Sequence, residues 1–290
     1  MADIAKHALI GVSVSGTAQA NVLPDSVKLS PGLRKIVESA GAISPTAAMT
    51  LGAEPVIEFS TNKINLCNTI AALSGTGLIL YFKAYDAATG LGTGNVSVTI
   101  GAGLIEPVKL SGKAGEKADL AVRVHAVSSD GTTVPVAVGT TAATLTANSD
   151  FWMLGAVTLG SALSGVRSFD LNFGYSVAKN TGEDGYVFPT QAYSEKQAAT
   201  MAIRCRQLAA ATQALINTGG AETTISAVFD QLDEGGVPDG TYTVTGQKGL
   251  VSIDEVAGGA PGEVGITVDL LASAWAGTSY LQYATVAPGA

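Results

Sequence analysis

Charge, aromatic rings and reactive side chains are all scarce in this chain. Of its 290 residues only 14% are Asp, Glu, Lys or Arg and 6% are aromatic, against a charged fraction of about 25% in ordinary soluble domains. So little charge predicts a surface that partners cover. There are two histidines, His7 and His125, and two cysteines, Cys67 and Cys205. They are not clustered, which excludes a zinc site. The cysteines fall on a predicted helix and a predicted strand, so buried or half-buried free thiols are expected and a disulfide is not. No apolar run approaches the ~20 residues of a membrane span. The opening Met1-Ala2-Asp3-Ile4-Ala5-Lys6-His7 has no apolar signal core, so the chain is expected to be made in a cytoplasm with no membrane partner. There is also no basic excess. The net charge is −8, which argues against direct nucleic-acid binding, since that needs a basic footprint. Residues 1–146 carry ten basic and ten acidic side chains, and residues 147–290 carry six and fourteen. The negative charge therefore belongs to the second half.

Catalytic constellations are missing as well. His125 sits in a strand-like stretch and reads as a tolerated strand histidine. The loop Gly90-Leu91-Gly92-Thr93-Gly94 lacks the lysine and following helix that phosphate binding requires, and it precedes the strand-like Asn95 to Ile100. Asn95-Val96-Ser97 matches a glycosylation sequon, which means little without export. Three carboxylate pairs occur: Glu183-Asp184, Asp233-Glu234 and Asp254-Glu255. Neighbours on a strand point to opposite faces, so such pairs make poor acid–base partners. They suit solvated loops, or the rim of a pore if the unit is repeated around an axis. The expectation is no enzyme, no cofactor and no metal.

What the chain does have is glycine, 35 residues of it, and a long internal repeat. Gly41-Ala42-Ile43-Ser44-Pro45-Thr46-Ala47-Ala48 returns as Gly185-Tyr186-Val187-Phe188-Pro189-Thr190-Gln191-Ala192, an offset of 144. Val96-Ser97-Val98-Thr99 returns as Tyr242-Thr243-Val244-Thr245, and Gly103-Leu104-Ile105 as Gly249-Leu250-Val251, both at 146. Pro55 to Ser60 aligns with Met201 to Arg206, and Leu120 to Val124 with Ile266 to Leu270, also at 146; Tyr81 to Asp86 aligns with Val228 to Asp233 at 147. A period this long exceeds the roughly 20–50 residues of solenoid units and matches a domain of about 100–150 residues. The predicted domains are residues 1–146 and 147–290.

Strand signals dominate each copy. Ala8 to Val14 and Asn95 to Ile100 alternate, while Leu78 to Tyr85 is continuously apolar, as a doubly buried strand would be. Gly112 to Glu116 and Gly258 to Gly262 read as equivalent hairpin loops. Helical segments are predicted at Leu66–Leu73 and Leu208–Ile216, each stopping before a glycine, Gly75 or Gly219. The predicted fold is thus mainly β: two tandem β-sandwich or small-barrel domains, each with one flanking α-helix. Two long, weakly periodic segments, 30–54 and 172–200, read as arms that contact a neighbour.

Strand, short helix, long buried strand and closing hairpin follow a Pro-containing arm, with Pro55-Val56-Ile57-Glu58-Phe59-Ser60-Thr61 leading into Leu66–Leu73. In this order and texture the chain resembles the tail tube proteins of long-tailed bacteriophages. The resemblance implies self-assembly: six domains, here three duplicated chains as a homotrimer, close a ring lined by a β-barrel. Rings then stack into a tube that passes DNA without holding it. It implies a place in the virion tail after assembly in the host cytoplasm, with other tail proteins as partners at the tube ends. It also implies an acidic bore, for which Asp233, Glu234, Asp254 and Glu255 are candidates, and arms that join stacked rings, for which Pro45, Thr46, Pro189 and Thr190 are candidates. The alternatives are another virion structural protein (head decoration or tail completion) and a β-sandwich adhesin or binding module. The last should expose aromatic clusters, and only Trp152 and Trp275 are available as tryptophans.

Overall fold

Strict alternation is visible in Val56–Thr61, where Ile57, Phe59 and Thr61 point inward and their neighbours stay half-exposed. That period-2 pattern is what makes a two-faced strand. The computed structural model describes residues 7–14, 17–19, 26–38, 44, 47–70, 77–86, 90–142, 151–181, 185–207, 222–232, 236–257, 263–271 and 281–286. Nearly all of it is antiparallel β-structure.

The first half contains β1 (His7–Val14), β2 (Thr17–Gln19), β3 (Lys28–Ser30), β4 (Leu33–Glu38), β5 (Ala47–Ala53) and β6 (Val56–Thr61). A 3-10 turn, Ile64–Leu66, runs into α1 (Cys67–Ile70), followed by β7 (Leu78–Asp86), β8 (Gly90–Ile100), β9 (Ala102–Lys113), β10 (Asp119–Val127) and β11 (Val136–Gly139). The second half contains β12 (Phe151–Leu159), β13 (Ser161–Ala162), β14 (Ser164–Asn172), β15 (Tyr175–Asn180), β16 (Gln191–Gln197), β17 (Thr200–Gln207), β18 (Glu222–Leu232), β19 (Pro238–Ala257), β20 (Glu263–Leu270) and β21 (Leu281–Val286).

Strand pairing in the second half follows that of the first. The order β11-β8-β7-β1-β2 forms one sheet; β21, β19, β18, β12 and β13 pair in the same sequence. Strands β9, β10, β6 and β3 are neighbours in a second layer, as are β19, β20, β17 and β14. The hairpins β4–β5 and β15–β16 stand apart as two-stranded sheets. Bulges coincide too. The extra residue is Val108 in β9 and Asp254 in β19, and Leu51 in β5 and Glu195 in β16. Gly32 and Gly174 both take positive φ, +56° and +60°, and each accepts a backbone hydrogen bond from across its hairpin neck, Gly32 from Glu54 and Gly174 from Ala198. Those glycines are required, because a β-carbon at either would strike the backbone of that facing residue.

Among the described residues, the halves differ at the junction between the two sheets. In the first, the chain changes layers at Gly101, between β8 and β9; in the second, β19 runs unbroken for 20 residues through both layers. Gly246 and Gly249 lie in this stretch, and Leu270, Ile225 and Val268 close onto them so tightly that a β-carbon would collide. The continuous β19 merges the layers of the second half. Together with a β9·β14 pairing, it yields one 12-stranded sheet.

The core draws on both layers and both halves, from Leu9, Ile57, Leu80 and Val122 to Trp152, Phe169, Phe229 and Val268. Phe169 meets Phe229 edge-on at 6.0 Å, and Trp152 meets Tyr242 at 5.9 Å. Such aromatic pairs contribute about 0.5–1.5 kcal/mol beyond their burial.

Several expectations change. The first helix is a single four-residue turn, Cys67–Ile70, with a 3-10 lead-in, so the predicted Leu66–Leu73 segment is only partly helical among the described residues. The predicted helix Leu208–Ile216, the hairpin loop 258–262 and the domain boundary between 146 and 147 lie outside the described residues. Gly90 to Gly94 does not precede a strand but begins one, since β8 starts at Gly90 and pairs with Asp86. The long segments are ordered largely as hairpins. Two alignments shift by two residues. Ile57 pairs with Val124 as Met201 pairs with Val268, an offset of 144 on both strands. His125 therefore corresponds to Asp269, whereas the offset of 146 read from the sequence would carry it to Leu271. The cause is that a shift of two keeps every side chain on the same face, so apolar spacing cannot tell 144 from 146.

Candidate assembly interface

The two halves meet through unlike surfaces, and four groups of residues make the contact. Along the β9·β14 pairing, Lys113, Gly112, Ser111, Leu110 and Lys109 face Ser168, Phe169, Asp170, Leu171 and Asn172. Leu110 and Leu171 are both fully buried. Lys109 Nζ lies 3.0 Å from Asp170 Oδ1. Both side chains are more than a third exposed, so the pair fixes register more than it adds stability, about 0–1 kcal/mol. Gly112 lets the second half approach, because a β-carbon there would lie 2.7 Å from the Phe229 ring.

The turn after β9 continues the contact. Ala114 N donates to Arg167 O at 2.9 Å and Ala118 N to Trp152 O at 2.8 Å. Lys117 Nζ sits 3.6 Å above the Phe151 ring, a cation–π contact.

Helix α1 supplies the third group. The Tyr242 hydroxyl donates to Asn68 Oδ1 at 3.0 Å, and Asn68 Nδ2 donates to Thr285 Oγ1 at 3.4 Å. Burial pushes the Cys67 thiol up to about 12, with the neighbouring Tyr242 hydroxyl opposing slightly. Burial also raises the Tyr242 phenol, and Cys67 and Tyr283 add to the rise. Both groups therefore remain protonated in any ordinary buffer.

The fourth group is the tip of the second arm. Val187 N and Phe188 N both donate to Gly131 O, at 2.9 and 3.0 Å, and Ala53 N donates to Val187 O at 2.9 Å. Pro189 O accepts from Ser128 N at 2.8 Å, and Lys179 Nζ lies 3.5 Å from Glu54 Oε2. Gly131 has φ +71° under the Tyr186 ring, where no other residue fits. Asp130 shapes this loop. Its carboxylate accepts from Ser128 Oγ, Thr132 N, Thr133 N and Thr133 Oγ1 at 2.7–2.9 Å. Those bonds hold it far below the usual carboxylate range.

Strand β16 of the same arm packs against β9 and β10. On those strands lies a polar cluster: His125 Nε2 is 3.1 Å from Glu106 Oε1, Arg123 spans Glu106 and Glu58 at 3.4 and 2.8 Å, and Glu106 and His125 are buried. Among the described residues, Glu106 Oε2 and His125 Nδ1 have no hydrogen-bond partner.

Of the residues singled out from sequence, Pro189 is buried and Thr190 N bonds to Asn180 O at 3.2 Å. Both lie in the arm tip that docks on the first half of the same chain. Asp254 is exposed at the β19 bulge and accepts from Thr267 Oγ1. Glu255 follows it in β19. Asp233, Glu234, Pro45 and Thr46 fall outside the described residues. Sequence reasoning missed Asn68, Lys109, Leu110, Gly131, Asp170 and Leu171. Only Leu110 and Leu171 had a signal, as apolar residues in strands, and nothing marked them as lying between halves. A cleft of about 420 Å³, lined by Thr99, Ala102, Ser128, Val134 and Ala137 among others, has no ionisable side chain. Among the described residues no three metal-ligating side chains come together.

In comparison with known proteins, no family model matches the chain and no curated protein sequence matches it.

Proposed function

We propose that this chain is a structural, ring-forming subunit of a hollow tube, of the kind made by the tail tube proteins of long-tailed phages. Residues 1–146 and 147–290 act as two tandem β-sandwich units, each with a flanking helix, and three chains close a pseudo-sixfold ring. Rings stack into a conduit, and an acidic wall keeps DNA phosphate from binding to it. The protein carries no catalytic role in this scheme. It works in the virion tail, after assembly in the host cytoplasm.

The observation that carries the proposal is the head-to-tail contact between halves. β9, α1 and the Gly131 loop of one half meet β14, the Tyr242 surface and the arm tip of the other. A contact between unlike surfaces of like units propagates until it closes into a ring or runs on as a filament. Light scattering coupled to size exclusion, followed by negative-stain microscopy, tests it. The expected result is a particle of three chain masses, or tubes built from such rings with a central hole. A strictly monomeric chain at all concentrations would overturn it.

A further inference from the structure

Among the described strands, the contact between the halves leaves a matching pair of edges unpaired, and we infer that these edges pair between chains in one defined register. β3 corresponds to β14: Leu29 sits opposite Ile57 as Leu171 sits opposite Met201, and the same relation carries Gly32 to Gly174. The end of β19 corresponds to β9: Val256 sits opposite Val264 as Leu110 sits opposite Leu120, one step beyond Lys109 and Glu255, which follow the shared bulges. Within the chain, Leu110 faces Leu171. Transposed, Val256 of one chain faces Leu29 of the next, Ala257 faces Lys28, and Glu255 faces Ser30.

Burial and charge both fit that register. Leu110 and Leu171 are 0% exposed, whereas Val256 and Leu29 are 64% and 51% exposed. β3 ends the path of the large sheet, and β19 beyond Leu250 pairs with β20 alone among the described strands. Lys109 and Asp170 form the ion pair of the internal contact. Their counterparts by register are Glu255 and Lys28, residues of the opposite charge at both positions. The hairpin β4–β5 completes the unused surface. Its counterpart β15–β16 lies over β9 and β10, while Leu33, Val37, Met49 and Leu51 are exposed. The partner is a second copy of this chain, offering its β19 end to β3. Open strand edges with apolar side chains are the features that pair in this way.

The inference rests on the ring proposed above and adds the edges and register. Directly opposed residues on antiparallel strands bring their β-carbons to about 4.5–5.5 Å, within reach of a short thiol cross-linker or of a disulfide after slight adjustment. The full chain carrying Leu29→Cys and Val256→Cys is oxidised or cross-linked and run without reductant. Covalent multimers ending at a closed ring are expected. The off-register pair Leu29→Cys with Leu250→Cys should give few or none, and the native thiols, both buried, should give none. In a second measurement, Lys28→Glu should weaken association roughly three- to tenfold, as like charges on adjoining strands within diagonal reach do. Lys28→Glu with Glu255→Lys should restore it. Rings that form by microscopy without the on-register cross-link, or a double charge swap weaker than Lys28→Glu alone, would overturn the register and leave the ring standing. A chain that stays monomeric would overturn both.

Discussion

The Tyr242 hydroxyl donates to Asn68 Oδ1 at 3.0 Å, joining residues 174 positions apart. Asn68 lies on the short helix of the first half and Tyr242 on the long β19 of the second. The bond spans the two halves, and the ring of Tyr242 stacks on Tyr283 at 6.3 Å and meets Trp152 edge-on.

Tyr242→Phe removes the donor and keeps the packing. Asn68 is exposed, so water can replace the lost bond, and the cost should be about 0.5–1 kcal/mol. A melting temperature lower by roughly 1–4 °C is expected in calorimetry.

The buried thiol beneath that tyrosine makes stability fall in alkali. Cys67 is raised from 9.0 to about 12 by burial. Its stabilising share is complete below pH 9, where neither state ionises it, and is lost as pH climbs toward 12, because only the unfolded chain then releases the proton. The Tyr242 phenol, also raised, acts in the same direction. Urea midpoints should drop steadily between pH 9 and 11, and Cys67→Ala should show a shallower drop. An unchanged slope would count against burial of the thiol.

Gly131→Ala should undock the second arm. Its φ of +71° and the Tyr186 ring above it leave no room for a methyl group, and a destabilisation of about 1–3 kcal/mol is expected. Limited proteolysis should then cut near 182–190 faster than in the parent chain. Asp130→Ala should act in the same sense by loosening the loop. Because its folded carboxylate is held below the usual range, the stability it confers is present above an ordinary carboxyl pKa of ~3.9 and fades only in stronger acid.

Excising residues 33–53 and rejoining the chain at the neck should leave the sheets intact, since Glu54 N already bonds to Gly32 O there at 3.2 Å. Circular dichroism should keep its β signature while light scattering shows weaker self-association. Loss of the β signature would mean that the hairpin belongs to the core.

Much of the fold was legible in the chain. Alternation in Val56–Thr61 and the apolar run at Leu78–Tyr85 marked strands, and Gly112–Glu116 marked a hairpin, all of which form. The helix was overread. Leu66 to Leu73 has helical spacing, but only Cys67–Ile70 and a 3-10 lead-in are helical among the described residues. A segment that short is decided by what it packs on, not by propensity. The contact surface was hardly legible. Lys109 and Asp170 are ordinary strand charges until β9 and β14 lie side by side.

By its own pattern the sequence marked many of the strands, which face of each turns inward, and that a similar run of strand segments recurs along the chain. Side-chain polarity carries that information because it alternates with the pleat. The tertiary structure decided which strand edges meet, so that Leu110 is spent on Leu171 while Leu29 and Val256 stay open. Edge pairing runs through backbone N–H and C=O groups, which every residue but proline presents alike, so no side chain announces its neighbour in advance.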